Sequence, residues 1–185
     1  MRKALLKLKS DESLMQGYGE GDVLAFEILY ERHKSGLFHY LYCSCQDESL
    51  VEDLAHEVWL AVIRRAEQYS ASARFKTYLY RIAWHKLVDH WRSASRHQRV
   101  EGGFEESEYL DLDTVSTGHE QWLDVREMMA AIDELPGEQR TAFLLKEEGF
   151  SQQEIADITD AKPETVKSRI RYANKALREL LEAKA

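Results

Sequence analysis

The sequence predicts an all-α protein of two small helical domains joined by an acidic flexible linker, the second domain containing a helix-turn-helix. Three observations point there. Turn formers are scarce: nine glycines and two prolines stand in 185 residues, and Gly102-Gly103 is the only Gly-Gly or Asn-Gly type pair, which argues against a sheet-rich fold. Apolar residues recur at the three-four spacing of buried helix faces. A stretch with no period, rich in acids, Ser and Thr, separates two such helical regions.

Taken in order, the first helix is predicted from Phe26, Leu29, Tyr30, His33, Leu37, Tyr40 and Leu41, which share one stripe. The second carries Leu50, Val51, Leu54, Val58, Ala61 and Val62. The third runs from Phe75 to about Ser95, with Leu79, Ile82, Ala83 and Leu87 inward. Residues 98–118 read as the linker, so residues 1–97 form one domain and residues 119–185 the other. Helical patterning resumes near His119 and continues to Leu135. Pro136 opens a helix that Gly149 ends, with Phe143 and Leu144 inward. Ser151-Gln152-Gln153-Glu154 is a capping box, in which a serine and a glutamate satisfy free amides at a helix start. That helix is short, ending near Thr159. Pro163 then suits the first turn of a basic helix reaching about Ala183, because its fixed φ is pre-organised there.

Charge is distributed unevenly. The formal net charge of −8 speaks against nucleic-acid binding when taken alone. Yet residues 64–99 carry nine Lys/Arg against Glu67 and Asp89, and residues 162–178 carry six against Glu164 alone. Residues 100–121 hold seven acids and no Lys or Arg. Salt screens charges beyond about 8–10 Å, so a phosphate near either basic element feels that element more than the whole chain. The pattern fits two nucleic-acid contacts in one protein.

The last two helices carry one of them. Ala156 is small where two helices must approach closely, and Ile155, Val166 and Ile170 hold their crossing. The outward face of the second offers Thr165, Lys167, Ser168, Arg169, Arg171 and Lys175, with Glu164, groups that suit a major groove and its phosphates. The turn is Asp160-Ala161-Lys162, where the aspartate stands in for the usual glycine. On the helix from Phe75, a stripe of Tyr80, Trp84 and Trp91 points away from the apolar face, flanked by Lys76, Arg81 and Arg92. Rings among cations can hold unpaired bases, the rings by stacking and the cations through the backbone. The same rings could instead be packing, and Lys86 sits awkwardly on the supposed core face.

Together these features resemble the bacterial RNA polymerase sigma factors, specifically the short extracytoplasmic-function (ECF) branch, over residues 24–96 and 129–181. Glu52-Asp53-Leu54-Ala55-His56-Glu57-Val58-Trp59-Leu60 is similar to that family's polymerase-binding segment. Phe75-Lys76-Thr77-Tyr78-Leu79-Tyr80-Arg81-Ile82-Ala83, continuing to Asp89 and Arg92, is similar to its promoter-melting segment. Asp133-Glu134-Leu135-Pro136 with Gln139-Arg140 and Phe143-Leu144-Leu145 resembles the start of its C-terminal domain. Glu154-Ile155-Ala156 and Thr165-Val166-Lys167-Ser168-Arg169 resemble its helix-turn-helix.

The resemblance implies a non-enzymatic subunit that binds core RNA polymerase and directs promoter-specific initiation. Asp53, Glu57 and Trp59 would dock on the clamp helices of the polymerase's largest subunit, and the second domain would meet the flap region. Lys76, Tyr80, Arg81, Trp84, His85 and Arg92, with residues 68–74, would recognise and open the −10 element. Thr165, Lys167, Ser168, Arg169, Arg171 and Lys175 would bind the −35 element. The acidic linker would pass along the polymerase's basic interior channel. An anti-sigma partner covering both domains is implied as well. The family often has Arg, Asn and Gln where Trp84, His85 and His56 stand, which leaves the −10 base preference open and alters one polymerase contact.

Other chemistry is weakly signalled. Asp53-x-x-His56 has the spacing of a carboxylate–histidine metal site, but a di-metal bundle needs two Glu-x-x-His motifs and none occurs. His39 and Cys43 share a helix face, where a satisfied core thiol is the simpler reading. No Gly-rich phosphate loop or Gly-x-Ser-x-Gly elbow is present, so no cofactor, metal or catalytic residue is expected. No apolar run approaches 18 residues and no signal-like core follows Met1-Arg2-Lys3, so no membrane insertion is expected. Cys43 and Cys45 point to different faces, and a reducing cytoplasm is the expected location. The alternative function is a stand-alone helix-turn-helix regulator that binds duplex DNA by itself.

Overall fold

Helix starts and stops fall where side chains or special backbone can satisfy the orphaned amides and carbonyls of a helix end. The structure is a computed structural model describing residues 2–101 and 119–182, and no strand occurs among the described residues. The first domain comprises α1 (Arg2–Leu6), α2 (Asp11–Gly19), α3 (Val23–Cys45), α4 (Glu48–Arg64) and α5 (Phe75–Glu101), with a 3-10 turn at Ala66–Gln68. The second comprises α6 (His119–Asp133), α7 (Gly137–Glu147), α8 (Gln152–Thr159) and α9 (Pro163–Glu182).

Three apolar stripes converge as the spacing requires. Leu29, Leu37 and Leu41 of α3, Val51, Val58 and Val62 of α4, and Phe75, Leu79, Ala83 and Leu87 of α5 are all buried. Tyr30 departs from its stripe, being 39 % exposed. Asp47 caps α4 by accepting from the Leu50 amide at 3.1 Å. Lys86 finds its place by reaching sideways, its Nζ 2.7 Å from Glu57 Oε2 on α4.

α1 and α2 extend the fold beyond the three helices expected for the first domain. Ser10 caps α2, which buries Leu14 and Met15. From α2, Glu12 accepts the Phe75 amide at 2.8 Å and so caps α5 across 63 residues of chain. Asp11 is clamped between His33 Nε2 at 2.7 Å and Arg32 Nη1 at 2.5 Å, both on α3. The hydrogen bond from His33, then the one from Arg32, holds the Asp11 carboxyl below its ordinary range against the opposing effect of burial. A depressed carboxyl contributes stability that is present above its unfolded value of about 3.9 and is lost as pH falls through the lower folded value. Thermal melting between pH 6 and pH 3 is therefore expected to show a shallower acid decline for Asp11→Asn than for the native chain.

α5 continues to Glu101, so residues 98–101 of the expected linker are helical; residues 102–118 lie outside the described residues. In the second domain, Gly149 (φ 87°) takes the left-handed turn that closes α7, and the Phe150 amide reaches back to Leu145 O at 3.2 Å. The two domains pack on one another. α6 and α7 lie against α3, and α8 lies against α5. Arg140 of α7 pairs with Asp133 at 2.8 Å and donates to Ser44 O of α3 at 3.3 Å, while Cys43 Sγ sits 3.8 Å from Met129 Sδ of α6.

Candidate nucleic-acid interface

α8 and α9 form the helix-turn-helix. Ser151 Oγ accepts the Glu154 amide at 3.3 Å, and Glu154 Oε2 accepts the Ser151 amide at 2.9 Å, which is the complete capping box. The Ser151 hydrogen bonds hold the Glu154 carboxyl below its ordinary range. Asp160 takes the left-handed conformation (φ 49°) at the turn, as its short polar side chain permits. Ile155, Ala156 and Val166 are buried at the crossing, and Ala173 and Leu177 extend that face of α9 into the core. Gln152 Nε2 donates to Pro163 O at 2.7 Å and ties the two helices.

The opposite face of α9 is open. Thr165, Lys167, Arg171 and Lys175 are exposed, and Lys167, Arg171, Asn174, Lys175 and Arg178 line a shallow basic groove of about 480 Å³. Ser168 is half-buried and donates to Glu164 O within the helix. Arg169 turns inward to Glu138 of α7 at 2.5 Å, so it braces the motif as this structure stands.

On α5 the rings of the expected aromatic stripe differ in exposure. Tyr80 is 1 % exposed, packed against Tyr40 and Phe150 with its hydroxyl donating to Glu148 Oε2 at 3.0 Å. Burial, then the Glu148 charge, pushes its phenol upward. The reason is that Tyr80 lies where α3 and the second domain both meet α5, so Tyr40 covers it from one side and Phe150 from the other. Trp84 and Trp91 are half-buried, Arg81, His85 and Arg92 are exposed, and Lys76 is half-buried. Lys76, Arg81 and His85, like Tyr80, meet acids. Lys76 Nζ donates to Glu148 O at 2.6 Å and lies 3.4 Å from its carboxylate. Arg81 meets Asp160 at 2.6 Å and His85 meets the same carboxylate at 3.5 Å. Upstream, Arg74 and Thr77 lie 3.5 and 3.4 Å from Glu154.

On the other side of the first domain, α3 and α4 enclose a groove of about 850 Å³. Tyr30, Phe38, Tyr42, Ala55 and Trp59 supply its apolar lining, with Lys34, Glu48, Glu52 and His56 at its polar positions. Asp53 and Glu57 are exposed on α4 beside it, whereas Trp59 is 6 % exposed and packs edge-on to Phe26 and Tyr30. Sequence reasoning missed the α3 half of this groove, although Tyr30, Lys34, Phe38 and Tyr42 recur every four residues. It also missed Glu148 and, beyond their local places in the capping box and the turn, the contacts of Glu154 and Asp160 with the first domain, whose partners lie 68 to 79 positions away.

His39 Nε2 lies 3.7 Å from Cys43 Sγ, and burial pushes that thiol up to about 11, so it stays protonated. No group of three or more His, Cys, Asp or Glu that could hold a metal ion occurs among the described residues. No helix there is long and apolar enough to cross a membrane.

Residues 29–97 match the Sigma-70 region 2 family model and residues 126–177 the Sigma-70 region 4 model. The chain is 31% identical over 186 residues to an ECF RNA polymerase sigma-E factor of Haemophilus influenzae, covering 95% of each. It is 29% identical over 165 residues to the ECF RNA polymerase sigma factor SigX of Bacillus subtilis, covering 85% of this chain and 84% of that one. The fold matches the sigma factor RpoE of Bartonella quintana, solved with the anti-sigma factor NepR, at a TM-score of 0.76 and 22% identity over 88% of this chain and all of that one. It also matches CnrH, solved with the cytosolic domain of CnrY, at a TM-score of 0.73 and 21% identity over 96% of this chain and all of that one.

Proposed function

Because the chain belongs to the extracytoplasmic-function family of RNA polymerase sigma factors, and so serves promoter-specific transcription initiation with RNA polymerase, we propose how its parts divide that work. Residues 1–97 form the domain that binds core polymerase and handles the −10 element, residues 98–118 are the linker, and residues 119–185 form the domain that reads the −35 element and meets the flap region. The chain has no catalysis of its own and acts in the cytoplasm.

The exposed basic face of α9, carried on a helix-turn-helix whose first helix begins in a complete capping box, is the observation that supports this reading most directly. Thr165, Lys167, Arg171 and Lys175 enter the −35 major groove, where Arg and Lys can read guanine edges and the remaining donors hold phosphates. Ser168 and Arg169 join them when the duplex competes for their present partners. At the −10 element, Lys76, Arg81, His85 and Arg92 hold the backbone of the displaced strand while Trp84 faces its bases, and Tyr80 joins it when the DNA displaces Phe150 and Glu148 from its ring. Asp53 and Glu57 pair with basic groups of the clamp helices, and Trp59 acts as the floor that keeps the α3–α4 groove open for an apolar side chain. A partner protein of the anti-sigma class is proposed on the precedent of the sigma factor solved with NepR.

Run-off transcription with bacterial core polymerase, on DNA from upstream of this chain's own gene, tests the reading. A start site that appears only when the chain is added is expected. Absence of core binding, together with tight, salt-sensitive binding of duplex DNA by the chain alone, would replace it with a stand-alone regulator.

A further inference from the structure

α5 begins without a local cap. Arg74 stands at the cap position, since its carbonyl accepts the Tyr78 amide at 3.1 Å, and an arginine side chain offers no acceptor to the free amides of a first turn. Glu12 of α2 supplies one from 63 positions away, taking the Phe75 amide at 2.8 Å. We propose that Glu12 is a positioning residue for −10 recognition: by capping α5 from α2 it fixes where the loop of residues 70–74 ends, and with that the loop's base preference. This role rests on the reading of residues 68–74 and α5 as the −10 surface.

The loop has little of its own to hold a shape. Ser70, Ala71, Ser72, Ala73 and Arg74 are all exposed, and the first four are too small to reach a neighbour. The fifth, Arg74, lies 3.5 Å from Glu154 of the second domain and is 78% exposed. The ends of the loop therefore set its form, and both ends rest on α2. On the entry side the 3-10 turn passes so close that a Cβ at Gly19 would come 2.7 Å from the Ala66 carbonyl oxygen. On the exit side stands the Glu12 bond, where a carboxylate also meets the positive end of the α5 dipole. Between them Tyr69 packs edge-on to Phe75 and Tyr78, at 6.3 and 5.3 Å between ring centroids. Burial, then the Glu12 charge, pushes the Tyr69 phenol up to about 12, so it stays a neutral ring against Phe75.

α2 is held firmly enough to serve as a seat. Arg32 of α3 donates to Asp11 and to the Lys7 and Lys9 carbonyls, and His33 pairs with Asp11 while its ring lies 5.4 Å from that of Phe75. Leu14 and Met15 are wholly buried beneath. One packed unit of α2 and α3 thus decides where the first turn of α5 stands. Trp84 lies more than two turns further along α5, and the α3–α4 groove lies on another side of the domain. Loss of the cap should therefore disturb base selection before it disturbs core binding.

The test is run-off transcription by the full chain with bacterial core polymerase, on the DNA upstream of its own gene. Templates carry single-base changes in the −10 element or, separately, in the −35 element. The quantity read is transcript from the unchanged template divided by transcript from the changed one. Glu12→Ala removes the acceptor and is expected to lower the −10 ratio more than about threefold, where a wrong base ordinarily costs about tenfold or more. Its −35 ratio and its core binding by gel mobility are expected to stay within about twofold of native. Glu12→Gln keeps a carbonyl acceptor and is expected to hold the −10 ratio within about twofold. Glu12→Asp keeps the charge but withdraws the acceptor by about 1.5 Å, and is expected to show the same loss should the alanine variant not fold. Asp47→Ala removes a cap of the same kind from α4, away from the loop, and its −10 ratio is expected to match the native one. A −10 ratio that falls less than about threefold in both Glu12→Ala and Glu12→Asp, or that falls as far in Asp47→Ala, overturns the role and leaves Glu12 to stability alone. If the native chain yields no promoter-specific transcript, or its transcript ignores −10 changes, the underlying reading fails. If the native chain discriminates and Glu12→Ala discriminates equally, only the role of Glu12 is lost.

Discussion

Trp84→Ala is expected to lower promoter opening by about 5- to 150-fold, the equivalent of about 1–3 kcal/mol for one base–ring stacking contact. Trp84 is half-buried on α5, with its ring centroid 5.0 Å from that of His85 and one turn beyond the buried Tyr80. That position gives it both a packed edge and an accessible one, so truncation removes some packing as well as the stacking face. Two measurements separate these effects. Permanganate reactivity of unpaired thymines reports opening, and gel mobility reports binding to core polymerase. Opening should fall while core binding stays within about twofold, and Trp84→Phe should recover most of the lost opening because it keeps a stacking face. Parallel losses in both readouts, unrelieved by Phe, would assign the ring to packing.

Legibility of the fold and the site followed the range of the interactions. Helix stripes, the Ser151 box, the two prolines and the left-handed Asp160 are decided within a few residues, and each lies where the sequence places it. α1 and α2 were not legible because one is five residues and the other carries Gly17 and Gly19, which blur the period. What fixes them is long-range: Arg2 on Asp22 and Lys3 on Glu27 for α1, and Arg32 and His33 on Asp11 with the Phe75 amide on Glu12 for α2. Tyr80 shows the limit most clearly. Its angular position on α5 excludes it from the Phe75–Leu79 face, and that much is readable from spacing. Whether the face it does occupy meets solvent or another domain depends on Phe150 and Glu148, 68 or more residues away. Trp59 was read as part of a segment that resembles a polymerase-binding one, yet its depth beneath Phe26 and Tyr30 comes from the crossing of α3 and α4.

On the second domain the expectation is sharper, because the reading face and the packing face of α9 are separate. Replacing Arg171 and Lys175 together by alanine is expected to cut transcription from a −35-dependent promoter by about 10- to 100-fold, since a base contact is worth about 1–3 kcal/mol and each lost phosphate contact weakens binding further. Both side chains are exposed and line the groove on α9, and the helix is held from its other side by Val166, Ala173 and Leu177. Stability should therefore hold, as exposed substitutions usually change it by less than about 0.5 kcal/mol. Arg171 also lies over the neighbouring Tyr172 ring at 5.0 Å, a contact within one exposed surface whose loss should leave the fold intact. Salt dependence separates the two roles. If both residues hold phosphates, the slope of log affinity for the polymerase–promoter complex against log salt should flatten by about 0.9 for each. A template with a scrambled −35 element decides the assignment: the native chain should lose activity on it, and the variant should lose little more. A further equal loss by the variant there would take Arg171 and Lys175 off the −35 bases; a flattened salt slope would then place them on phosphates, and an unchanged slope at a polymerase contact, because neither of those sites reads the scrambled bases.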